Sequence, residues 1–144
     1  LWRPRIMASQ LKVDTITGVT TAGSISVTGE GNSTTTNLQQ GLAKAWMSFN
    51  GSSTVSTNDS FNTSALTDNG TGAYTVSIAN DMANDDYVAT FNASPTNERP
   101  RCNCCSDFAT GSVAVTTGYP SDTSGGITNN DEENCQFSAH GDLA

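Results

Sequence analysis

The chain has 144 residues, 35% hydrophobic and 14% charged, with 6 basic against 14 acidic side chains and a net charge of −8. Phosphate neutralisation needs Lys and Arg, so this balance argues against binding nucleic acid or an anionic membrane surface, and no apolar run approaches the about 20 residues that cross a bilayer as a helix. The length suits one domain with an appended arm; the bulk of Ser, Thr, Asn and Gly suits short strands, many turns and a core completed by association, since large apolar side chains are few.

Residues 1–7 read as an unanchored leader. Leu1-Trp2-Arg3-Pro4-Arg5-Ile6 is basic, but no apolar stretch of a signal peptide follows. Met7-Ala8-Ser9 reads as a natural start, with Leu1 then reflecting an upstream start or a processed product. Alternation over Leu11–Ile16 predicts a short strand ending at Gly18, and Ser24–Thr28 a second, with Thr20–Gly23 the turn between them. Two such strands bury no core alone, so residues 8–36 read as an arm that lies against another chain. Residues 37–45 are the one predicted helix, with Asn37 as N-cap and Leu38 and Leu42 at i and i+4 on one face. Two readings of that pair stand: a turn covering the core, or a subunit contact where Leu38 and Leu42 meet their symmetry mates. The organisation expected is residues 1–42 as arm and helix and residues 43–144 as the β-module.

From Ala45 the pattern becomes period two. Met47 and Phe49 fall on one face, with Trp46, Ser48 and Asn50 on the other. Asp68-Asn69-Gly70-Thr71-Gly72 is a turn signal, and Tyr74, Val76 and Ile78 share a face beyond it. Asn80–Asp86 reads as a polar loop. Tyr87–Phe91 reads as a strand with Tyr87, Ala89 and Phe91 on one side. Pro95 and Pro100 bound a loop, Phe108–Thr116 reads as one strand bent at Gly111, residues 118–134 as a long loop, and Cys135–His140 as the last strand. The fold class expected is all-β, an antiparallel β-sandwich or jelly-roll-like module with a short N-terminal β-arm and one short helix.

Several segments also carry a family likeness: Ala43–Trp46, Phe49-Asn50-Gly51, Asp59–Asn62, Leu66–Gly72, Tyr74-Thr75-Val76, Met82-Ala83-Asn84 and the opening Ala8–Ile16. Together they resemble small tail-fibre-like virion proteins of tailed bacteriophages, especially marine ones. The likeness covers most of residues 8–92 and fades after Pro95. It implies a structural role in the virion, as a homotrimeric short fibre or tip touching other virion proteins, and it brings no catalytic residues.

The candidate chemistry is sparse. Cys102, Cys104, Cys105 and Cys135 allow free thiols, a disulfide from Cys135, or zinc held by four thiolates, although the spacing departs from paired C-x₂-C knuckles. Asp81, Asp85 and Asp86, and Asp131, Glu132 and Glu133, read as solvated runs or as calcium loops that lack the D-x-[DN]-x-[DN]-G pattern. His140 is the sole histidine, which leaves little for a Ser-His-Asp or Cys-His arrangement. No phosphate-binding or nucleophile-elbow motif occurs, so neither an enzyme nor a cofactor is expected. Beside the fibre reading stand a capsid decoration protein and a carbohydrate-binding module. In the last of these, Trp46 and Tyr87 would stack on sugar rings of a host-surface glycan. Loops 95–106 and 118–134 are the expected host-contact surface.

Overall fold

The computed structural model describes residues 11–18, 25–29, 34–94, 100–121 and 125–144. The chain divides into two units, Leu1–Leu38 and Gln39–Ala144. In the first, β1 (Ser26–Thr28) and β2 (Thr35–Asn37) pair antiparallel, with Ser26 opposite Asn37. Gly29 N–H donates to the Thr34 carbonyl at 2.8 Å and Leu38 N–H to the Ile25 carbonyl at 2.8 Å. Residues 11–18 form no strand, which corrects the expectation for Leu11–Ile16: their alternation finds no ladder partner among the described residues. The turn expected at Thr20–Gly23 lies outside the described residues. The expected helix over 37–45 shrinks to one turn, α1 (Leu38–Gly41). Asn37 is both the last ladder residue of β2 and the residue immediately before the helix, and Ala45 already pairs with Ala139 in a sheet.

The second unit is an all-β sandwich of two antiparallel sheets. One runs β4 (Ser56–Phe61), β3 (Ala45–Asn50), β11 (Asn134–His140), β7 (Val88–Ser94). The other runs β10 (Ile127–Asn129), β9 (Ser112–Pro120), β6 (Ala73–Ile78), β5 (Thr63–Gly70), and β8 (Cys102–Ala109) pairs β9 as well. Gly118 is partner to both Cys102 and Asn129, so β8 and β10 lie on opposite edges of β9. β4 and β5 are nearly one strand that changes sheet at Asn62. Asn62 sits at φ 53°, a conformation that Asn tolerates better than most residues. Its side chain holds the corner, donating to the Lys44 carbonyl at 2.9 Å and accepting from Asn80 N–H at 2.8 Å.

Period-two alternation places the core as the sequence predicts. Ala45, Met47 and Phe49 face inward, opposed by Tyr74, Val76 and Ile78, with Val113, Val115, Cys135, Phe137 and Ala139 filling the layer. Phe49 joins the sheets: its ring meets Tyr74 edge-on at 5.2 Å and stacks on Phe91 at 6.0 Å. Fully burying a side chain of this size contributes about 1.5–3 kcal/mol.

Two expectations for the second half are corrected. Phe108–Thr116 is no single bent strand. It is the tip of a hairpin, β8 turning at Thr110-Gly111 into β9, with a register shift between Ser106 and Ala109 and Asp107 at φ 49°. The cysteine segment is therefore ladder, not loop. Likewise, much of 118–134 is structured as the end of β9, β10 and a connection into β11 in which Glu132 is buried. Within the host-contact loops expected at 95–106 and 118–134, residues 102–106, 118–120, 127–129 and 134 are strand, and residues 95–99 and 122–124 lie outside the described residues.

Candidate interaction surface

The four cysteines do not converge. Cys102, Cys104 and Cys105 lie on β8 of the five-stranded sheet, and Cys135 lies on β11 of the four-stranded one; all four are free thiols. No disulfide joins Cys135 to the β8 cysteines in this arrangement. Cys105 is opposite Val115 and packs on the core, whereas Cys104 is opposite Thr116 and exposed, so adjacent residues take opposite faces. Cys135 is fully buried and donates its S–H to the Glu132 carbonyl at 3.4 Å. Burial, and then the nearby Glu132 charge, push its thiol up to about 12. Burial also raises the Cys105 thiol, with Cys104 adding to the effect. Such thiols stay protonated near neutral pH and are poor nucleophiles and metal ligands. Among the described residues, no three His, Cys, Asp or Glu side chains gather in a way that could hold a metal ion.

Two members of the acidic run at 131–133, Asp131 and Glu132, are architectural. Asp131 Oδ1 accepts from Gly72 N–H at 2.6 Å and from the Tyr74 hydroxyl at 2.8 Å. Glu132 is fully buried and pairs with Arg101 Nη2 at 2.5 Å, its Oε1 also accepting from Asn130 Nδ2 at 2.6 Å. Arg101 lies across the Tyr119 ring, 5.7 Å from its centroid. Asn103 and Thr117, opposite each other on β8 and β9, extend this polar patch inward. Burial, followed by the Asp131 hydrogen bond, raises the Tyr74 phenol well above its ordinary value. A buried arginine–glutamate pair signals itself weakly in sequence, because an Asp-Glu-Glu run ordinarily reads as solvated.

His140 ends β11 opposite Val88 on the outer side of its sheet, half-exposed. Leu38 is half-buried, and Leu42 is 53% exposed. Of the two aromatics proposed for sugar stacking, Tyr87 is buried, donating its hydroxyl to the Ala109 and Ser112 carbonyls at 3.1 Å each. Trp46 is not: it stands 37% exposed on the outer face of the four-stranded sheet, directly opposite Phe61, itself 53% exposed.

That outer face has a simple grammar. One row across the strands reads Phe61, Trp46, Ser138, Thr90, and the next reads Asp59, Ser48, Gln136, Asn92. Thr90 and Ser138 hydroxyls hydrogen-bond at 2.8 Å, and Asn92 Nδ2 donates to Gln136 Oε1 at 3.5 Å. The outer face of the five-stranded sheet differs. It presents Thr67, Thr75, Ala114, Thr116 and Cys104, small side chains with no exposed ring. The Trp46 face was legible in part, since alternation sets Trp46 opposite to Met47 and Phe49. Phe61 was not, because β4 is exposed throughout and shows no apolar alternation. No family model, curated protein or solved structure matches the chain.

Proposed function

We propose that this chain is a structural subunit of a bacteriophage virion, a homotrimeric short fibre or tip, anchored to other virion proteins through its N-terminal unit and displaying its β-module. The observation that carries the reading is a contrast in burial. The module fills its own core, whereas in the described part of the first unit Leu11, Val13, Ile16 and Val27 are 80%, 52%, 55% and 52% exposed. A hairpin of two three-residue strands is marginal by itself. Apolar side chains left outside a fold gain stability when a second surface covers them. Identical copies meeting about a closed axis supply such a surface, and the resemblance of residues 8–92 to tail-fibre-like proteins points to a trimer. The proposal assigns the chain no catalytic step.

Sedimentation velocity on the full chain and on residues 39–144 tests the reading. The full chain should sediment as a trimer, and the shorter piece as a folded monomer. A full chain that stays monomeric at tens of micromolar overturns the proposal. Leu42→Asp should weaken assembly while leaving the module's melting transition in place.

A further inference from the structure

The outer face of the four-stranded sheet combines two features that rarely share a surface. Trp46 and Phe61 lie side by side on neighbouring strands, in directly opposed positions, where Cβ atoms are about 4.5–5.5 Å apart. Both rings reach solvent although the core has no need of them. The next row offers Asp59, Ser48, Gln136 and Asn92, a line of donors and acceptors about 7 Å along the strands from the rings, the distance of one side-chain repeat. Asp59 is held in place by Ser60 N–H, which donates to its Oδ1 at 2.8 Å. Regular strands carry all six side chains, apart from one register shift beside Asp59 between Ser48 and Phe49. Sites built on strands are more rigid than sites built on loops.

The chemistry selects an occupant. An aromatic face carries a negative quadrupole and suits a surface of polarised C–H groups. Amide, hydroxyl and carboxylate groups beside it suit a ligand rich in hydroxyls. A pyranose ring has both: a C–H face and a rim of O–H groups. The face holds a single carboxylate and no Lys or Arg in these two rows, within a chain of net charge −8. Polyanions, including nucleic acids and phosphorylated surfaces, are electrostatically mismatched to it, and a neutral polyol is matched. We infer that the Trp46–Phe61 face binds a neutral hexopyranose polysaccharide, the rings stacking on sugar and Asp59, Ser48, Gln136 and Asn92 bonding its hydroxyls. The inference rests on the reading of the β-module as the displayed part of the assembly, and it gives that part a ligand.

Affinity electrophoresis of the full chain through native gels containing a soluble β-glucan, an α-mannan or dextran tests it. At least one polysaccharide should retard the wild-type chain. Trp46→Ala and Phe61→Ala should each weaken that retardation about tenfold or more. Gln136→Ala should weaken it several-fold, and Thr75→Ala, on the outer face of the other sheet, should leave it unchanged. Thermal melting of each variant verifies the fold, and Phe61→Leu, which keeps apolar bulk but removes the ring, separates stacking from packing. Wild-type mobility in all three gels overturns the inference, as does retardation of Trp46→Ala equal to wild type. Retardation is read whatever the subunit count, so a monomeric but retarded chain would sink the fibre reading and leave the sugar site standing, and a trimer without retardation would do the reverse.

Discussion

At the end of the sandwich where β6 finishes, Met82, Tyr87 and Ile78 are buried together, and Tyr87 meets Phe108 edge-on at 5.2 Å. The last residues strap this end: Ala83 N–H donates to the Asp142 carbonyl and Ala144 N–H to the Asp81 carbonyl, each at 2.9 Å, and Gly141 passes so close to Tyr87 and Met82 that a Cβ would collide with them. At the opposite end, where β6 begins, the closing groups are polar: Arg101 with Glu132, Asp131 with the Tyr74 hydroxyl, and Gly51 N–H donating to the Glu132 carbonyl at 2.8 Å. Apolar closure is worth the area it removes from water, whatever the identity of its neighbours. Polar closure is conditional, because each buried charge is tolerated only while its partner is present.

The largest effect should come from breaking that condition. Glu132→Ala removes the carboxylate facing Arg101 in a site where both side chains are almost fully buried, and should cost about 3–5 kcal/mol, read as a lowered urea midpoint. Arg101→Met with Glu132→Leu should recover most of that loss, because matched apolar groups carry no desolvation penalty. A single variant as stable as wild type would show that the polar end does not depend on its ion pair, and the contrast between the ends would collapse.

Next in size is the apolar end. Met82→Ala empties a site that is 1% exposed and should cost about 2–5 kcal/mol. No second substitution in contact with it should reverse the loss as the paired change does at the other end. If Met82→Ala is nearly neutral, the 81–83 segment is held by its backbone bonds to Thr110 and Asp142 rather than by side-chain packing.

The smallest effect is a pH dependence centred on Cys135 at the polar end, to which the Cys105 thiol and the Tyr87 phenol, both raised by burial, add in the same direction. The Cys135 thiol is raised from 9.0 to about 12 by burial and the Glu132 charge. The folded state therefore favours the protonated thiol. That contribution is whole below pH 9 and is lost as pH climbs from 9 towards 12, because the unfolded chain releases its proton first. Tyr74, also raised, acts in the same direction above pH 10. Urea midpoints should fall between pH 8 and pH 10.5, and Cys135→Ala should fall less steeply over that range. Equal slopes would place the alkaline loss elsewhere.

The apolar layer was readable because strands write it locally. Tyr74, Val76 and Ile78, or Met47 and Phe49, declare a shared face by spacing alone. The closures were not readable, for reasons visible in particular residues. Met82 sits in a polar stretch and is buried only because the C-terminal residues fold over it. Glu132 sits among acids and is buried only because β8 carries Arg101 to it. The β8–β9 hairpin was hidden because Thr110-Gly111 lies between residues that alternate on both sides, so a turn and a bend have the same local pattern.

By itself the sequence determined the all-β class, the faces of β3, β6 and β7, and the weak apolar content of the arm, since period and composition are properties of neighbouring residues. The tertiary structure alone decided that β4 and β5 part company at Asn62, that four cysteines divide between two sheets, and that Trp46 finds Phe61 beside it on an open face. Those outcomes depend on which strands pair and in what register. Pairing is settled by the sum of many distant contacts, to which no single stretch of chain holds the key.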